Sequence, residues 1–298
     1  MRESELLAHI YDRSKALPGS FAEVVVGPGD DCAVLRSASG DLTLLSVDQL
    51  IEGRHFEPGT PTDRIAYKAL ARSISDLAAM GGEPTAALAA AALPDSFRDA
   101  DALFDAMHMV AADFACPLVG GDIARTTGPL SLTVTVVGSP HTERGPVLRS
   151  DARAGDAVFV TGRLGGSLTS GRHLSFSPRL AEGGWLCDTL GDRLGAMIDL
   201  SDGLGRDAGR IALASGVAIE LDASLIPRHP DVTDALAAVS DGEDYELCFT
   251  ARGEVPTRCP QTGTVITRVG WVVTGSGCTL RLDSGQTQDA SELGWEHG

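Results

Sequence analysis

The chain has 298 residues, 43% of them hydrophobic and 5% aromatic. That is enough apolar material for two domains that each bury a core, and too much for intrinsic disorder. Its 41 acidic residues against 24 basic ones leave a formal charge of −17 with no local basic patch, which argues against nucleic acid and anionic membrane surfaces as partners.

The longest wholly apolar stretch, residues 86–93, is far too short to span a bilayer, and residues 1–5 form no hydrophobic signal region. The expected compartment is therefore the cytoplasm. Six scattered cysteines without a Cys-x-x-Cys pair point to buried free thiols, not to zinc or a disulfide framework. The 35 glycines and 15 prolines suit a loop-rich α/β chain.

Apolar spacing predicts a first helix over 4–17, then a strand over 23–26 that breaks at Gly27-Pro28-Gly29. Strands over 32–35 and 42–47 follow, and a helix over 63–80 stops at Gly81-Gly82-Glu83-Pro84. Residues 86–93 read as a buried strand, although their alanines leave a helix open. A helix over 99–114, a short strand over 117–119 and a β-branched strand over 130–137 complete the first half. The Pro/Gly/charge-rich stretch 138–146 marks the expected boundary between an N-terminal domain, 1–138, and a C-terminal domain, 139–298. Beyond it, strands are expected over 157–161, 197–200, 217–221 and 245–250, with a helix over 202–215.

Single carboxylates recur at the ends of apolar runs. Asp30 and Asp31 sit in a glycine turn, Asp48 follows 42–47, Asp76 closes 70–75, Asp122 follows 118–121, and Asp199 and Asp202 follow 196–198. Strand ends in α/β folds are where loops converge into ligand sites. Any one of these residues reads equally well as a helix cap or turn. Brought to one place, they repel unless cations lie between them, and Mg²⁺ suits hard oxygen ligands. A near miss to the phosphate-binding P-loop at 166–173 has Arg172 for the lysine and His173 for the metal-binding hydroxyl, and is rejected. No G-x-G-x-x-G, H-E-x-x-H or G-x-S-x-G is present.

The blocks Gly29-Asp-Asp-Cys-Ala-Val-Leu35, Ser46-Val-Asp48, Glu52-Gly-Arg-His-Phe56, Tyr67-Lys-Ala-Leu-Ala71 and Ser75-Asp-Leu-Ala-Ala-Met-Gly81 come in order. Gly120-Gly-Asp122, Arg149-Ser150, Gly155-Asp156, Asp199-Leu-Ser-Asp-Gly-Leu204 and Gly242-Glu-Asp-Tyr-Glu-Leu-Cys-Phe249 follow. Together they resemble the thiamine-monophosphate kinases. The resemblance implies transfer of a phosphoryl group from ATP to thiamine monophosphate, giving thiamine diphosphate. It also implies the two-domain α/β (α+β) fold of aminoimidazole-ribonucleotide synthetase, with N-terminal sheets pairing across a homodimer and a C-terminal α/β domain.

Carried over, the ligands of several Mg²⁺ ions are Asp30, Ser46, Val47 (backbone only), Asp48, Asp76, Asp122, Asp199 and Asp202. ATP contacts are Gly121, Asp122, Arg149 and Ser201, and substrate contacts are His55, Glu243 and Trp295. Asp30, Asp76, Asp122, Arg149 and Asp202 are the expected catalytic set. Some positions depart from the family pattern: Val47 stands where threonine is usual, Ser73 for asparagine, Gly166 for aspartate and Asp241 for glycine.

Such a reaction needs positioning and charge neutralisation, and its phosphate-monoester acceptor, largely dianionic at pH 7, needs no general base. Two other readings stay open: another ATP-dependent small-metabolite kinase or synthetase of the superfamily, and a catalytically impaired nucleotide-binding homologue. Selenophosphate synthetase would want a reactive N-terminal cysteine, whereas the first here is Cys32. A hydrogenase-maturation protein would end in a modified cysteine, whereas this chain ends Trp295-Glu-His-Gly298.

Overall fold

In the computed structural model, which describes residues 3–295, the chain builds two mixed sheets. Helices α1 (Glu3–Ser14) and α2 (Leu17–Ser20) precede strands β1 (Val24–Val26), β2 (Ala33–Arg36) and β3 (Leu42–Ile51). Then come α3 (Thr62–Ala79), β4 (Glu83–Pro94), α4 (Ala100–Asp113), β5 (Leu118–Thr126) and β6 (Ser131–Ser139). The six strands lie in the order β1-β2-β3-β6-β4-β5, antiparallel except for β4 with β5.

The second half runs β7 (Ala157–Thr161), α5 (Ser167–Ser170), α6 (Leu180–Leu190), β8 (Leu194–Asp199), α7 (Leu204–Ser215) and β9 (Ala218–Asp222). It continues through α8 (Ala235–Ser240), β10 (Leu247–Ala251), β11 (Ile266–Val273), β12 (Gly277–Arg281) and β13 (Thr287–Asp289). Its seven strands lie in the order β13-β12-β9-β11-β7-β10-β8, with β9 and β12 parallel and the other pairs antiparallel. All six cysteines are free and buried.

Helix α3 ties the two sheets together. Its Ile65, Leu70, Ile74 and Leu77 pack with Leu44, Val134 and Val136 in the core of the first sheet. Its Ala78 and Ala79 join Phe159, Met197, Leu247 and Phe249 beside the second. Ala71 meets Phe176 and Tyr245. Each large apolar side chain so buried contributes about 2 kcal/mol. A helix covered on nearly every side is normally apolar all round, yet α3 buries Lys68, Ser73 and Ser75 completely. Each therefore needs a polar partner inside the protein. Ser73 Oγ donates to the Val134 carbonyl at 3.1 Å; the other two reach the site described below.

Several expected boundaries shift, each for a tertiary reason. The alanine-rich segment 86–93 is part of strand β4: Ala87, Ala89, Ala91 and Leu93 are buried while Leu88 and Ala90 are exposed. Pairing with both β5 and β6 overrides the helical preference of alanine. Strand β3 runs on to Ile51, because its ladder with β6 continues from Leu44 opposite Gly138 to Ile51 opposite Ser131. Asp48 is consequently mid-strand. The expected short strand at 117–119 extends to Thr126 as β5, so Gly120-Gly121-Asp122 forms no turn. Gly121 permits this close pairing, since a Cβ there would stand 1.8 Å from the Ala89 carbonyl oxygen. The first helix ends at Ser14, with Pro18 starting a separate turn, and the helix expected from 202 begins at Leu204. Helix α6 and strands β11 to β13 have no counterpart in the expected elements.

Candidate active site

Where the sheets meet through α3, three carboxylates converge. Asp31 comes from the glycine turn between β1 and β2, Asp76 from α3, and Asp199 from the end of β8. Their ligand oxygens lie within 4.8 Å of one another. Each has a distinct neighbour. Ser46 Oγ donates to Asp76, and Ser75 Oγ donates to Asp199 Oδ2 at 2.7 Å. Arg149 clamps Asp31 with two hydrogen bonds, Nε to Oδ2 at 3.1 Å and Nη2 to Oδ1 at 2.7 Å. Asp30 accepts the backbone N–H of Asp31 at 3.0 Å and that of Arg149 at 3.1 Å.

One guanidinium cannot balance this many carboxylates. Burial, with the Asp31 carboxylate next, pushes Asp30 up to about 7. Burial and like charge also hold Asp76 and Asp199 well above the usual carboxylate range, the neighbours being Asp199 for Asp76 and Asp31 for Asp199. A cation would reverse both effects. The donor set is all oxygen, carboxylates with a serine hydroxyl beside them, and fits a hard divalent ion such as Mg²⁺.

A small cleft of about 60 Å³ lies nearby, lined by Arg54, His55, Arg72, Leu168, Ser201, Asp202, Gly242, Glu243, Tyr245 and Trp295. It gathers every expected substrate contact, together with Ser201 and Asp202. His55 Nδ1 accepts the Ile51 N–H at 2.9 Å, which assigns the ring proton of the neutral imidazole to Nε2. Glu243 and Tyr245 have left-handed backbones, with φ of 67° and 51°. Such conformations persist where surroundings over-determine them. Here Glu243 N–H donates to the Ser201 carbonyl at 2.7 Å, Ser167 Oγ donates to the Glu243 carbonyl at 2.6 Å, and Tyr245 N–H donates to Leu200 at 2.8 Å. The Tyr245 ring stacks on Phe176 with centroids 3.8 Å apart. Arg72 ties the cleft to Asp48 through a 3.2 Å ion pair. Asp202 pairs with Arg210, which also holds Asp207 at 2.6 Å, and the Trp295 N–H donates to the Asp202 carbonyl at 2.9 Å.

A third feature is a mainly apolar cavity of about 820 Å³, within the size range of small-molecule sites. Leu7 and Tyr11 of α1, Gly27 to Gly29, Arg206, Arg210 and Leu213 of α7, and Arg149 all line it. Arg149 thus faces both this cavity and the acidic cluster.

Asp30, Ser46, Asp76, Arg149 and Asp199 assemble at the cluster, while His55, Ser201, Asp202, Glu243 and Trp295 assemble at the small cleft. Asp48 stands beside the cleft through Arg72. Val47 is 63% exposed between inward-facing Ser46 and Asp48, so its side chain takes the outer face of the sheet. Gly121 and Asp122 lie on exposed edge strand β5, where Asp122 pairs with Ala90, itself on the outer face. They do not join the cluster. Asp31, Ser75, Lys68, Arg72 and Tyr245 are site residues that the sequence reading did not assign. The signal for Lys68 and Ser75 was there: both are polar residues at core-facing positions of an amphipathic helix.

A family model for AIR synthase related protein, N-terminal domain, matches residues 29–139. The thiamine-monophosphate kinase of Rhodopirellula baltica is 36% identical over 318 residues, covering 99% of this chain and 97% of the relative. That of Escherichia coli is 34% identical over 333 residues, covering 99% and 98%. A solved structure described as AaThiL complexed with AMPPCP and TMP superposes with a TM-score of 0.81 at 29% identity, covering 100% of this chain and 99% of that one. With this fold, these gathered residues and relatives matched over nearly their whole length, the chain belongs to the thiamine-monophosphate kinase family.

Proposed function

We propose that this chain catalyses ATP-dependent phosphorylation of thiamine monophosphate to thiamine diphosphate by direct in-line transfer. One observation carries the reading: an all-oxygen acidic cluster stands beside a cleft that collects His55, Glu243, Trp295, Ser201 and Asp202. Mg²⁺ ions, when bound, neutralise the charge of two phosphate groups that must approach each other. Asp30, Asp31, Asp76 and Asp199 would hold them, with Ser46, Asp48 and Asp202 at the edges of the set. Arg149, at the junction of cluster and large cavity, binds a phosphate of ATP while its clamp on Asp31 keeps the guanidinium oriented. His55 offers its Nε2–H and Glu243 a carboxylate oxygen to the substrate, and the half-exposed Trp295 ring covers it from the open side.

We assign residues 1–138 to ATP and metal binding and dimerisation, and residues 139–298 to the second domain. The homodimer pairs the outer faces of two six-stranded sheets, where Val47 and Leu88 are exposed, beside Val119 and Ile123 on β5. On this reading Gly121 and Asp122 contribute to nucleotide and metal binding at the subunit interface. The proposed compartment is the cytoplasm, where six reduced, buried thiols are stable. Among the described residues no helix is long and apolar enough to cross a membrane.

The test is turnover with thiamine monophosphate and Mg·ATP, following ADP and thiamine diphosphate together. Equimolar products are expected. ADP release without thiamine diphosphate, or none at all from folded protein, would overturn the assignment.

A further inference from the structure

Lys68 is one of only two lysines in the chain, and the side chain of this one is wholly buried. An ammonium group is costly to desolvate, so its partners identify its work. Its Nζ pairs with Glu243 Oε2 at 2.5 Å and donates to the His55 carbonyl at 2.7 Å. Those partners come from opposite halves of the protein. His55 follows β3 of the first sheet, and Glu243 precedes β10 of the second. Both line the same small cleft.

Each partner has a further anchor of its own. The His55 ring is fixed at Nδ1 by the Ile51 N–H, and the Glu243 backbone is held in its left-handed conformation by Ser167 and Ser201. The Lys68 contacts join the two walls to each other, one ammonium reaching both. Replacing a whole buried ion pair by apolar side chains of similar volume is often neutral or favourable, so stability alone does not account for this one. The cost is explained if the ammonium serves the cleft.

We propose that Lys68 is a positioning residue for substrate binding: its ammonium sets the spacing of His55 and Glu243 across the cleft and orients the Glu243 carboxylate toward the ligand. The inference rests on reading this cleft as the thiamine monophosphate site. Lys68 acts through Glu243 and does not itself touch substrate.

Calorimetric titration of thiamine monophosphate and, separately, of a non-hydrolysable ATP analogue with Mg²⁺ into Lys68→Met, Glu243→Gln and the double variant tests it. Thiamine monophosphate affinity is expected to fall about tenfold or more in Lys68→Met, with the nucleotide analogue within about twofold of wild type. The double variant is expected to bind no more weakly than the weaker single variant, because both substitutions remove one coupled contact. Lys68→Gln, which keeps a donor for the His55 carbonyl, carries the same comparison if the methionine variant does not fold. Unchanged thiamine monophosphate affinity in a folded Lys68 variant, losses that multiply in the double variant, or a parallel loss of nucleotide affinity would each overturn the proposal. Wild-type protein that binds nucleotide but no thiamine monophosphate would instead overturn the reading of the cleft on which it stands.

Discussion

Replacing Asp76 with asparagine is expected to stabilise the metal-free protein while disabling it. Asp31, Asp76 and Asp199 bring carboxylate oxygens within 4.8 Å of one another. Two unit charges at that spacing repel by roughly 3.5 kcal/mol at an effective dielectric of about 20. The protein relieves part of this by binding protons, since burial, and then the Asp199 charge, raise Asp76 well above its ordinary 3.8. A carboxyl raised on folding favours the folded state below the unfolded value and loses that contribution as pH climbs through the folded one. Wild-type stability in EDTA therefore declines between pH 5 and pH 8. Asp76→Asn declines less, ending about 1–2 kcal/mol above wild type at pH 8. The amide oxygen still accepts the Ser46 hydroxyl, so no hydrogen bond is lost to offset the gain. As a neutral ligand it is a poor partner for Mg²⁺, and kcat is expected to fall by about 100-fold or more, roughly 2.7 kcal/mol of transition-state stabilisation. Denaturant unfolding at both pH values in EDTA, beside turnover at saturating Mg²⁺, measures the two effects. Parallel pH profiles for variant and wild type, or a kcat within threefold, would refute the charge argument.

Mg²⁺ with a non-hydrolysable ATP analogue raises Tm, and the analogue with EDTA raises it little; equal shifts in both conditions would rule out metal-bridged nucleotide binding. Asp122→Asn, on exposed strand β5, leaves metal-free stability within about 0.5 kcal/mol yet lowers activity by about 100-fold, and unaltered specific activity would remove Asp122 from the site. Leu88→Asp, placing a charge on the outer face of the first sheet, shifts the proposed homodimer toward monomer in sedimentation velocity; an unchanged sedimentation coefficient would move the interface elsewhere.

Much of the first half was legible because its signals are local. The β-branched run ending near Val137 pairs as a strand, and the Gly81-Gly82-Glu83-Pro84 stop ends α3 at Ala79, because spacing and backbone constraints act within a few residues. Motif order likewise pointed to His55, Glu243, Ser201 and Asp202 as residues of one site, and the fold does bring them into one cleft. The expected strand over 117–119 is too short because the ladder to β4 carries it on through Gly120, Gly121 and Asp122, a non-local pairing that the local run does not encode.

Hydrophobic patterning reports that a position is buried without saying which surface covers it. The sequence alone therefore determined the family, the reaction class and most of the chemical types at the site. Only the docking of two sheets onto α3 decided that Ser75 meets Asp199 across 124 residues of chain. The same docking made Asp31 the partner of Asp76, turned Val47 and Asp122 to the outer face, and brought one lysine between two walls of the cleft. Those contacts depend on the angle and depth at which separate elements pack, and no local run of residues encodes either.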